Sequence, residues 1–546
     1  MVTTQDYSIG ADGLVHGLHP RPIPQGPATV ARILEGCNPD HVALIDATGE
    51  LTYGELDRYV RAAASGLAAM GLQQGDPIAA CCVNHSAMIV AFLASQRLGL
   101  VWNGVNRVLA DAEKCAQLLD AEARLLLADP TVAEALAARK ADLPKLDRIL
   151  TTGTDATLEW PTLIAGNLGK DAAAAEIDPF APAALSYTSG TTGLPKGAVH
   201  TQHSIMAFIN GAIASNRGGI WQAGIRRSVT IALTILNGMT YGPLAALASG
   251  GSFVSMDRVD SIGVAEWIAR TRIQALCCTP PTIHDFLFKD SLQAMDLSSL
   301  AYAMAGGAAG SAELYEPFRA RFGSELINEY GMTEAPSGVA GSRCDQLPPD
   351  KCVGKPYSHL EIAALDDNAV PLPQGETGEI GIRAIQTGPW AGVFTGMRGY
   401  WRQPEETAAT FRNGWMCTGD LGFLDLEGNL AIVGRKKEMI IRGGANVYPA
   451  EIERVLRLRP EIQDAVVLGI ADQRLGEIVG AWLLLNDGVD ESPELIKQLT
   501  DACAGQLARY KVPARWLIVD NIPRNAMNKP DRKLLRTVPA RELVQA

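Results

Sequence analysis

The sequence predicts an α/β fold: a large N-terminal domain of parallel sheets flanked by helices, with a β-barrel-like subdomain, and a small mobile α+β domain at the C-terminus. A chain of 546 residues is too long for one hydrophobic core, so more than one domain is expected. Short apolar runs alternate with helical patterns over residues 51–110 and again after residue 225, which is typical of parallel sheets with covering helices.

The N-terminal alternation can be followed one element at a time. The first helix is predicted from apolar residues at helical spacing: Leu56, Val60, Ala63, Leu67 and Met70. The next predicted elements are a buried strand over 77–83, a helix over 86–98 and a strand over 99–102. After residue 225 the apolar runs predict strands at 229–233, 252–254, 274–278 and 325–328, with helices between them.

The amino-acid composition of the sequence changes near residue 350. Glycine and proline become frequent between short β-like runs at 360–365 and 378–383, which indicates the barrel-like subdomain. A basic, glycine-flanked string follows at 434–444, and a compact α+β pattern lies beyond it. We therefore divide the chain into a domain of residues 1–435 and a small domain of residues 436–546.

Composition excludes several classes of protein. Hydrophobic residues at 47% and charged residues at 20% are ordinary for a globular protein, and a net charge of −12 argues against nucleic acid as the main partner. Ten scattered cysteines without zinc spacing suit a reducing cytoplasm, where we expect the protein. No signal peptide is evident, and no apolar run approaches the roughly 18 residues of a membrane span.

The stretch from Tyr187 to Gly197 has the composition of a polyphosphate cradle. Its glycines permit backbone conformations that point successive N–H groups inward, its hydroxyls add donors, and its lysine adds a positive charge. The spacing differs from the P-loop NTPase motif, because Pro195 stands where that motif needs its second glycine. The candidate phosphate-binding residues are Thr188, Ser189, Gly190, Thr191, Thr192 and Lys196.

Three further motifs have residue types suited to nucleotide chemistry. Asn328 to Glu334 joins an aromatic ring, which can stack on a base, to a threonine and a glutamate that can meet a phosphate and its metal. Asp420 and Arg435 offer a carboxylate for ribose hydroxyls and a guanidinium to brace it. Near the C-terminus, Lys529 can neutralise charge that develops at an α-phosphate.

These motifs, in this order, resemble the signature of the adenylate-forming superfamily, which includes acyl-CoA synthetases, adenylation domains and luciferases. The similarity covers about residues 28–535. The resemblance implies that Tyr330 packs against adenine, Thr333 touches the α-phosphate and Glu334 helps to hold Mg²⁺. It implies that Lys196 binds the β- and γ-phosphates and that Lys529 is the catalytic lysine of adenylation.

The resemblance also assigns residues around the nucleotide and along the path of coenzyme A. Asp420 and Arg435 are implied as ribose contacts, and Lys437 as the hinge about which the small domain pivots. The remaining residues implied in nucleotide or coenzyme A binding are Glu329, Gly331, Met332, Gly307, Ala308, Ala309, Gly443 and Gly444.

The chain departs from the family pattern at two places that bear on function. Asn528 stands where the family has glycine before the catalytic lysine, and Pro530 follows that lysine. Asparagine is the non-glycine residue best suited to left-handed backbone, so we expect the turn to survive. In the acyl-pocket motif, Ile235 stands where the family has histidine.

Two histidines on either side of Thr201, where a helical pattern begins, have a spacing typical of metal ligands. His200 and His203 stand three residues apart, but the sequence shows no third ligand beside them, so we interpret them as packed side chains.

We expect an AMP-forming acyl-CoA synthetase, which converts a carboxylic acid and ATP into an acyl-adenylate and then into a coenzyme A thioester. The expected cofactors are ATP, Mg²⁺ and coenzyme A, the partner is a small-molecule carboxylic acid, and a homodimer is left open. One alternative is an adenylating enzyme that loads an acyl carrier protein. Another is a catalytically silent nucleotide-binding protein, suggested by Ile235 and Asn528.

Four segments are expected to line the acyl pocket. They are apolar or small and contain no basic residue, so we expect a bulky aromatic, alicyclic or medium-to-long-chain acid rather than acetate or a dicarboxylate. The segments are 204–212, 235–241, 304–310 and 335–340.

Overall fold

A computed structural model describes most of the chain, in two compact units. The described residues are 8–172, 175–188, 195–306, 312–346, 352–442, 445–525 and 528–543. The first unit lies within Met1–Ile362, Gly381–Met416 and Glu427–Leu430; the second lies within Ala363–Ile380, Cys417–Leu426 and Ala431–Ala546. This division does not test the boundary between residues 435 and 436, which stays a prediction.

The first sheet is built from the N-terminal alternation of strands and helices. Its strands are parallel, except that the last two form an antiparallel hairpin. Their spatial order is Arg148–Thr151, Leu125–Ala128, Pro77–Cys81, Val101–Gly104, Pro182–Thr188 and Lys196–Thr201.

The second sheet is the longer one among the described residues. Its central strands are parallel, and antiparallel strands complete both edges. The order is Lys355–Pro356, Ser337–Gly341, Ile327–Met332, Tyr302–Gly306, Ala275–Cys278, Arg226–Val229, Ser252–Val254, Val42–Asp46 and Gly49–Thr52.

The rest of the chain forms smaller sheets. A barrel-like sheet has the order Leu360–Leu365, Gly378–Ala384, Trp415–Leu424 and Phe411–Arg412, with Leu430–Arg435 also paired to Trp415–Leu424. The C-terminal sheet has the order Ala445–Val447, Ile440–Arg442, Gly476–Leu485, Arg515–Ile518 and Arg541–Leu543, with Ile462–Asp472 also paired to Gly476–Leu485. A short hairpin joins Ser8–Ile9 to Val15–His16.

Helices begin where local capping favours them. The first helix starts after Thr52, whose side chain accepts from the Glu55 N–H while Glu55 caps the Thr52 N–H in return, a capping box. The α-helices are Tyr53–Ala69, Ser86–Arg97, Asp111–Asp120, Pro130–Ala137, Glu159–Gly166, Gln202–Ser215, Leu236–Met239, Ala245–Ala248, Ser261–Thr271, Pro280–Phe288, Asp290–Gln293, Tyr315–Phe322, Pro404–Thr410, Pro449–Arg457, Pro493–Gln506 and Arg532–Leu535.

The predicted fold class is confirmed, and most predicted elements occur within a few residues of their expected positions. Two differ. The run predicted as a strand over 229–233 leaves the sheet after Val229, and Asn84 instead bonds the Ile231 carbonyl and the Leu233 N–H. The strand expected at 325–328 spans Ile327–Met332, because it pairs with Ser337–Gly341 in an unpredicted hairpin. Within the described residues, no helix is long and apolar enough to cross a membrane.

Candidate active site

The predicted phosphate loop joins the two strands of a hairpin in the first sheet. Thr188 ends one strand and is paired with Lys196, the first residue of the next. Ser189, Gly190, Thr191 and Thr192 lie outside the described residues. The hairpin therefore fixes the two ends of the loop on the edge of a sheet.

Lys196 is a buried cation with an anionic partner. Its side chain is only 10% exposed, and its ammonium forms an ion pair with the Glu406 carboxylate. The ammonium also lies 5.5 Å from the centre of the Tyr400 ring, within the range of a cation–π interaction. The charge of Lys196 is thus balanced by groups that polyphosphate oxygens could replace.

Tyr400 connects this cation to the second motif. Its hydroxyl donates to Glu334 Oε1 at 2.7 Å, and the Glu334 carbonyl accepts from the Met397 N–H at 2.8 Å. Burial, reinforced by the neighbouring Glu334 carboxylate, raises the pKa of Tyr400, so the phenol keeps its proton. Glu334 is therefore held by a fixed donor, at the turn that follows the strand Ile327–Met332.

The second motif runs along that strand and into the turn. Glu329, Tyr330, Gly331 and Met332 lie in the strand, and Thr333 follows it. Consecutive strand residues face opposite sides of a sheet, so the side chains of Glu329 and Tyr330 diverge. Gly307, Ala308 and Ala309, expected at the end of the neighbouring strand, lie outside the described residues.

His200 lies close to the Thr333 backbone. It is fully buried, and burial lowers the pKa of its imidazole to about 3, against a smaller opposing effect of the Thr333 backbone. The ring is therefore neutral near pH 7. Nearby, His203 Nε2 lies 2.8 Å from the Val393 carbonyl oxygen. Among the described residues, no three His, Cys, Asp or Glu side chains are grouped so that they could hold a metal ion.

The ribose motif and the catalytic lysine come together in the second unit. Arg435 Nε lies 3.3 Å from Asp420 Oδ1, and Asp420 is 8% exposed within the strand Trp415–Leu424. The ammonium of Lys529 lies near both side chains. Desolvation of the ammonium, together with repulsion from Arg435, lowers the pKa of Lys529, and Asp420 and Glu438 oppose this shift. The fold thus gathers three predicted site residues that are distant in sequence.

The turn that carries Lys529 is closed by its own backbone. The Asn525 N–H donates to the Lys529 carbonyl at 2.8 Å, and the Asn528 N–H donates to the Asn525 carbonyl at 2.9 Å. Asn528 has φ of 58°, the left-handed conformation expected where the family has glycine. Pro530 forms an isolated bridge with Arg524, so the turn accommodates this proline.

The expected hinge lies within the described residues, whereas the expected coenzyme A segment does not. Lys437 lies in a short 3-10 turn, Lys436–Glu438, directly after the strand that ends at Arg435. Gly443 and Gly444 lie outside the described residues. The hinge and the coenzyme A segment are therefore retained as proposals.

The donor set at Glu334 suits Mg²⁺ in the way that nucleotide-binding enzymes use it. Mg²⁺ prefers oxygen ligands and is commonly held by one or two carboxylates together with substrate phosphates and waters. Glu334 supplies one carboxylate, which Tyr400 orients through a single oxygen. These residues fit an ion that arrives with ATP rather than one held by a protein cage.

The acyl-pocket motif forms the start of a short helix. Ile235 precedes Leu236–Met239, and its N–H donates to the Ala232 carbonyl at 2.9 Å. The backbone of Thr234 packs against Gly104 so closely that a Cβ atom at Gly104 would overlap the Thr234 carbonyl. The position of this segment therefore depends on a glycine in the first sheet.

Several residues of the site were missed by the sequence analysis. Tyr400 lies 66 residues beyond Glu334, its partner in the second motif, and Glu406 lies more than two hundred residues beyond Lys196. Both belong to a stretch with no phosphate-binding signal of its own. Tyr357 and Arg217 surround Glu329, and each belongs to a segment without a recognisable motif. A sequence pattern cannot find such residues, because only the fold brings them to the site.

Comparisons with known proteins identify the family of this chain. The chain matches the family described as AMP-binding enzyme over residues 35–401, and the AMP-binding enzyme C-terminal domain over residues 451–529. It is 30% identical over 513 residues to the indoleacetate–CoA ligase of Aromatoleum aromaticum. The aligned region covers 93% of this chain and 97% of that protein. It is also 30% identical over 507 residues to a medium/long-chain-fatty-acid–CoA ligase of Mycobacterium tuberculosis, with 89% and 85% covered.

A solved structure extends the similarity to three dimensions. The anthranilate CoA ligase AuaEII, crystallised in complex with anthranoyl-AMP, matches with a TM-score of 0.82 at 25% identity, over 93% of this chain and 96% of that one. The first family match spans more than half of the chain and includes Lys196 and the motif ending at Glu334; the second includes Lys529, and Asp420 and Arg435 lie between the two matched ranges. The chain therefore belongs to the adenylate-forming superfamily of AMP-binding enzymes.

Proposed function

We propose that the protein is an AMP-forming acyl-CoA ligase, an acid–thiol ligase that activates a carboxylic acid with ATP and transfers the acyl group to coenzyme A. The observation that carries the proposal is the meeting of Asp420, Arg435 and Lys529, in which the Lys529 ammonium lies beside the pair proposed to bind ribose. Support comes from relatives named as CoA ligases.

In the first half-reaction the carboxylate attacks the α-phosphorus in line, and pyrophosphate leaves. Such a step depends on positioning and on charge stabilisation more than on covalent help. Lys196 would exchange Glu406 for the β- and γ-phosphates, and Thr333 would orient the α-phosphate. Mg²⁺, when bound with ATP at Glu334, would neutralise phosphate charge.

Lys529 would stabilise the charge that develops at the α-phosphate. The closed turn from Asn525 fixes the backbone of Lys529, while its side chain remains exposed enough to reach a ligand. Arg435 and Asp420 would hold the ribose next to it. In the second half-reaction the thiol of coenzyme A would attack the acyl carbonyl, and AMP would leave.

For the acid, we propose a bulky aromatic, alicyclic or medium-to-long-chain acyl group. The expected pocket segments are largely apolar, and Met304 and Tyr241 from two of them line one internal cavity. Each missing methylene costs only about 1–3 kcal/mol in an apolar pocket, but acetate would lose many such contacts. The named acids of the two relatives, indoleacetate and medium- or long-chain fatty acids, belong to the same range.

A panel of carboxylic acids in a pyrophosphate-release assay tests this proposal. Pyrophosphate should appear with ATP and a bulky acid, and a thioester should form only when coenzyme A is added. A carrier-loading enzyme would release pyrophosphate without forming a coenzyme A thioester. A silent nucleotide-binding protein would show no exchange of pyrophosphate with any acid, and acetate as the preferred acid would contradict the proposed pocket.

A further inference from the structure

Glu329, which the resemblance implies in nucleotide or coenzyme A binding, is a buried carboxylate to which the two proposed half-reactions assign no step. It is 7% exposed, and its Oε1 accepts hydrogen bonds from two tyrosines: Tyr357, at 2.6 Å, and Tyr241. Its other oxygen, Oε2, has no hydrogen-bond partner among the described residues. A buried polar atom left unpaired is costly, so an unpaired carboxylate oxygen calls for a ligand.

Strand register shows which way this carboxylate faces. Glu329 pairs with Gly306, and two residues earlier on that neighbouring strand Met304 pairs with Cys277. Paired residues of adjacent strands, and residues two apart in one strand, share a face of the sheet. Glu329 therefore lies on the same face as Met304 and Cys277.

A small cavity lies on this face. Met304, Cys277, Arg227 and Tyr241 line it together with Trp221. Its volume is about 10 Å³, the room needed by about one water-sized group. Tyr241 lines the cavity and donates to Glu329, and burial together with the Glu329 charge raises the pKa of Cys277 to about 12. The cavity and the carboxylate thus belong to one buried polar region.

The cavity also contains hydrogen-bond donors without acceptors. The Nε atom of Arg227 and the Nε1 atom of Trp221 are buried and have no partner among the described residues. The guanidinium carbon of Arg227 lies 4.5 Å from the centre of the Trp221 ring, so the two side chains form one wall. A group that donates to Glu329 Oε2 and accepts from this wall would satisfy both sides.

Glycines keep the space around Glu329 open. A Cβ atom at Gly338 would overlap both Glu329 Oε1 and the Tyr241 hydroxyl. Glycines also occupy the positions paired with Glu329 on both neighbouring strands, Gly306 and Gly341. The close approach of the two tyrosines to this carboxylate is therefore built into the backbone.

We propose that Glu329, Tyr241 and the Arg227–Trp221 wall form a hydroxyl-recognition site at the closed end of the acyl pocket, so that the substrate is a hydroxyl-bearing carboxylic acid. A hydroxyl is the size of the cavity and both donates and accepts one hydrogen bond. Glu329 and Thr333 stand four positions apart, at most about 13 Å along an extended strand, so one acid can span from the hydroxyl site to the reacting carboxyl group. The inference rests on the proposed function for the identity of the reacting acid.

Matched pairs of acids test the inference. Suitable pairs are phenylpropanoate with its para-hydroxy derivative, and decanoate with its ω-hydroxy derivative. In one pair at least, the wild-type protein should favour the hydroxy acid about 10- to 100-fold in kcat/KM, the scale of a hydrogen bond to a charged group. Glu329→Gln places an NH₂ group where Oε2 stood, so this preference should fall at least about tenfold.

Two further variants make the result specific. Glu325→Gln changes another buried carboxylate, which pairs with Arg319 at 3.3 Å, and it should leave the hydroxyl preference as in the wild type. Tyr357→Phe keeps the ring but removes one donor to Glu329, and it provides the test if Glu329→Gln does not fold. A uniform loss for both acids of every pair, with the preference unchanged, would show that Glu329 only supports the fold or holds a water.

Calorimetric titration of the same acids, without ATP, separates this inference from the proposed function. If the protein forms no adenylate but binds hydroxy acids selectively, and Glu329→Gln removes that selectivity, the site stands and the ligase assignment fails. If it forms adenylates without any preference for hydroxy acids in binding or in kcat/KM, the ligase assignment stands and the hydroxyl site is overturned. Equal binding of both acids of every pair overturns the site even when no adenylate forms.

Discussion

The carboxyl group of Glu329 shows how burial of one side chain couples the fold to pH. Burial raises the pKa of Glu329 to about 7 from its ordinary 4.5, although hydrogen bonds from Tyr241 and Tyr357 and the positive charge of Arg217 oppose this shift. Cys277, whose pKa is also raised, stays uncharged beside it near neutral pH. The native state therefore binds a proton more tightly at this residue than the unfolded chain does.

The raised pKa of Glu329 determines in which direction the stability of the folded protein changes with pH. Because the folded pKa is raised, the favourable contribution of the carboxyl group is complete below about pH 4.5 and is lost as pH rises through about 7. Glu329→Gln does not titrate, so from about pH 5 to about pH 8 the wild type should lose stability relative to the variant, by roughly 3 kcal/mol at most. Thermal unfolding of the wild type and of Glu329→Gln between about pH 5 and about pH 8 measures this difference in stability. A difference in Tm that stays constant over that pH range would contradict the raised pKa of Glu329.

Lys529 illustrates a substitution that the local backbone absorbs. Asn528 replaces the glycine of the family pattern yet adopts the left-handed φ of 58° that the turn requires. The sequence predicted this outcome from the tolerance of asparagine for that region. The lysine therefore keeps a defined place beside Arg435 and Asp420.

Removing the Lys529 charge should affect the two half-reactions unequally. Lys529→Ala should slow adenylate formation by about a hundredfold or more, the scale of a lost preorganised charge, while supplied acyl-AMP should still react with coenzyme A. ATP–pyrophosphate exchange and thioester formation measure the two steps. Lys533→Ala, an exposed lysine four residues later, is the control and should behave as the wild type. Exchange at the wild-type rate in Lys529→Ala would show that another group carries this role.

Individual elements show where sequence patterns succeed and where they fail. The helix Tyr53–Ala69 was predictable, because its apolar spacing and its capping box agree. The run 230–233 was not, since an apolar run looks the same whether its backbone pairs in a sheet or bonds to Asn84. The hairpin partner of Ile327–Met332 was also missed, because Ser337–Gly341 is rich in small residues with little strand propensity.

The residues of the candidate site also divide into those that the sequence could identify and those that only the fold reveals. Residues within contiguous motifs, such as Thr333, Asp420 and Lys529, could be named from the sequence, because spacing within a motif reflects local backbone geometry. Their roles remain proposals. Tyr400 and Glu406 could not be named, since their contacts with Glu334 and Lys196 arise only from tertiary packing. The proposed hydroxyl site adds Glu329 and Arg227, which lie outside the four pocket segments expected from the sequence and which only the fold brings near Tyr241.

The contact between two elements, the strand Val101–Gly104 and the segment that precedes the helix Leu236–Met239, can be tested by substitution of Gly104. Gly104→Ala would force the Thr234 backbone away, displacing the start of the acyl-pocket segment. We expect lower thermal stability and a raised KM for the acid, with a smaller change in the KM for ATP.

Gly505→Ala is the matched control. Gly505 lies in the helix Pro493–Gln506 with open space around it, so alanine there should be neutral or stabilise by up to about 1 kcal/mol. Unchanged kinetics and stability in Gly104→Ala would show that the Thr234 segment shifts without consequence for the pocket.

At the scale of the whole molecule, the chain consists of two compact units, and the reaction proposed for it has two steps. Lys529, Arg435 and Asp420 belong to the second unit, whereas Lys196, Thr333 and Glu334 belong to the first. In the proposed reaction the thiol would have to reach the acyl carbonyl near the place where Lys529 is proposed to act in the first step. A protein that uses one site for both steps therefore needs a conformational change between them.

Lys437 is the position at which we expect that change to occur. It lies in the turn Lys436–Glu438, immediately after the strand that carries Arg435. A hinge residue absorbs a large change in backbone angles, and proline would hold φ near −65° and remove an N–H. Lys437→Pro should therefore retain ATP–pyrophosphate exchange and ATP affinity while losing most thioester formation.

Lys437→Ala separates the backbone effect from the side-chain effect, because alanine removes the side chain but leaves φ free to change. It should form thioester much faster than Lys437→Pro if backbone rotation is what matters. Equal loss of both half-reactions in Lys437→Pro, with a lowered Tm, would indicate misfolding rather than a trapped state. Undiminished thioester formation in a stable Lys437→Pro would place the pivot elsewhere, since a residue fixed by proline cannot rotate between two states.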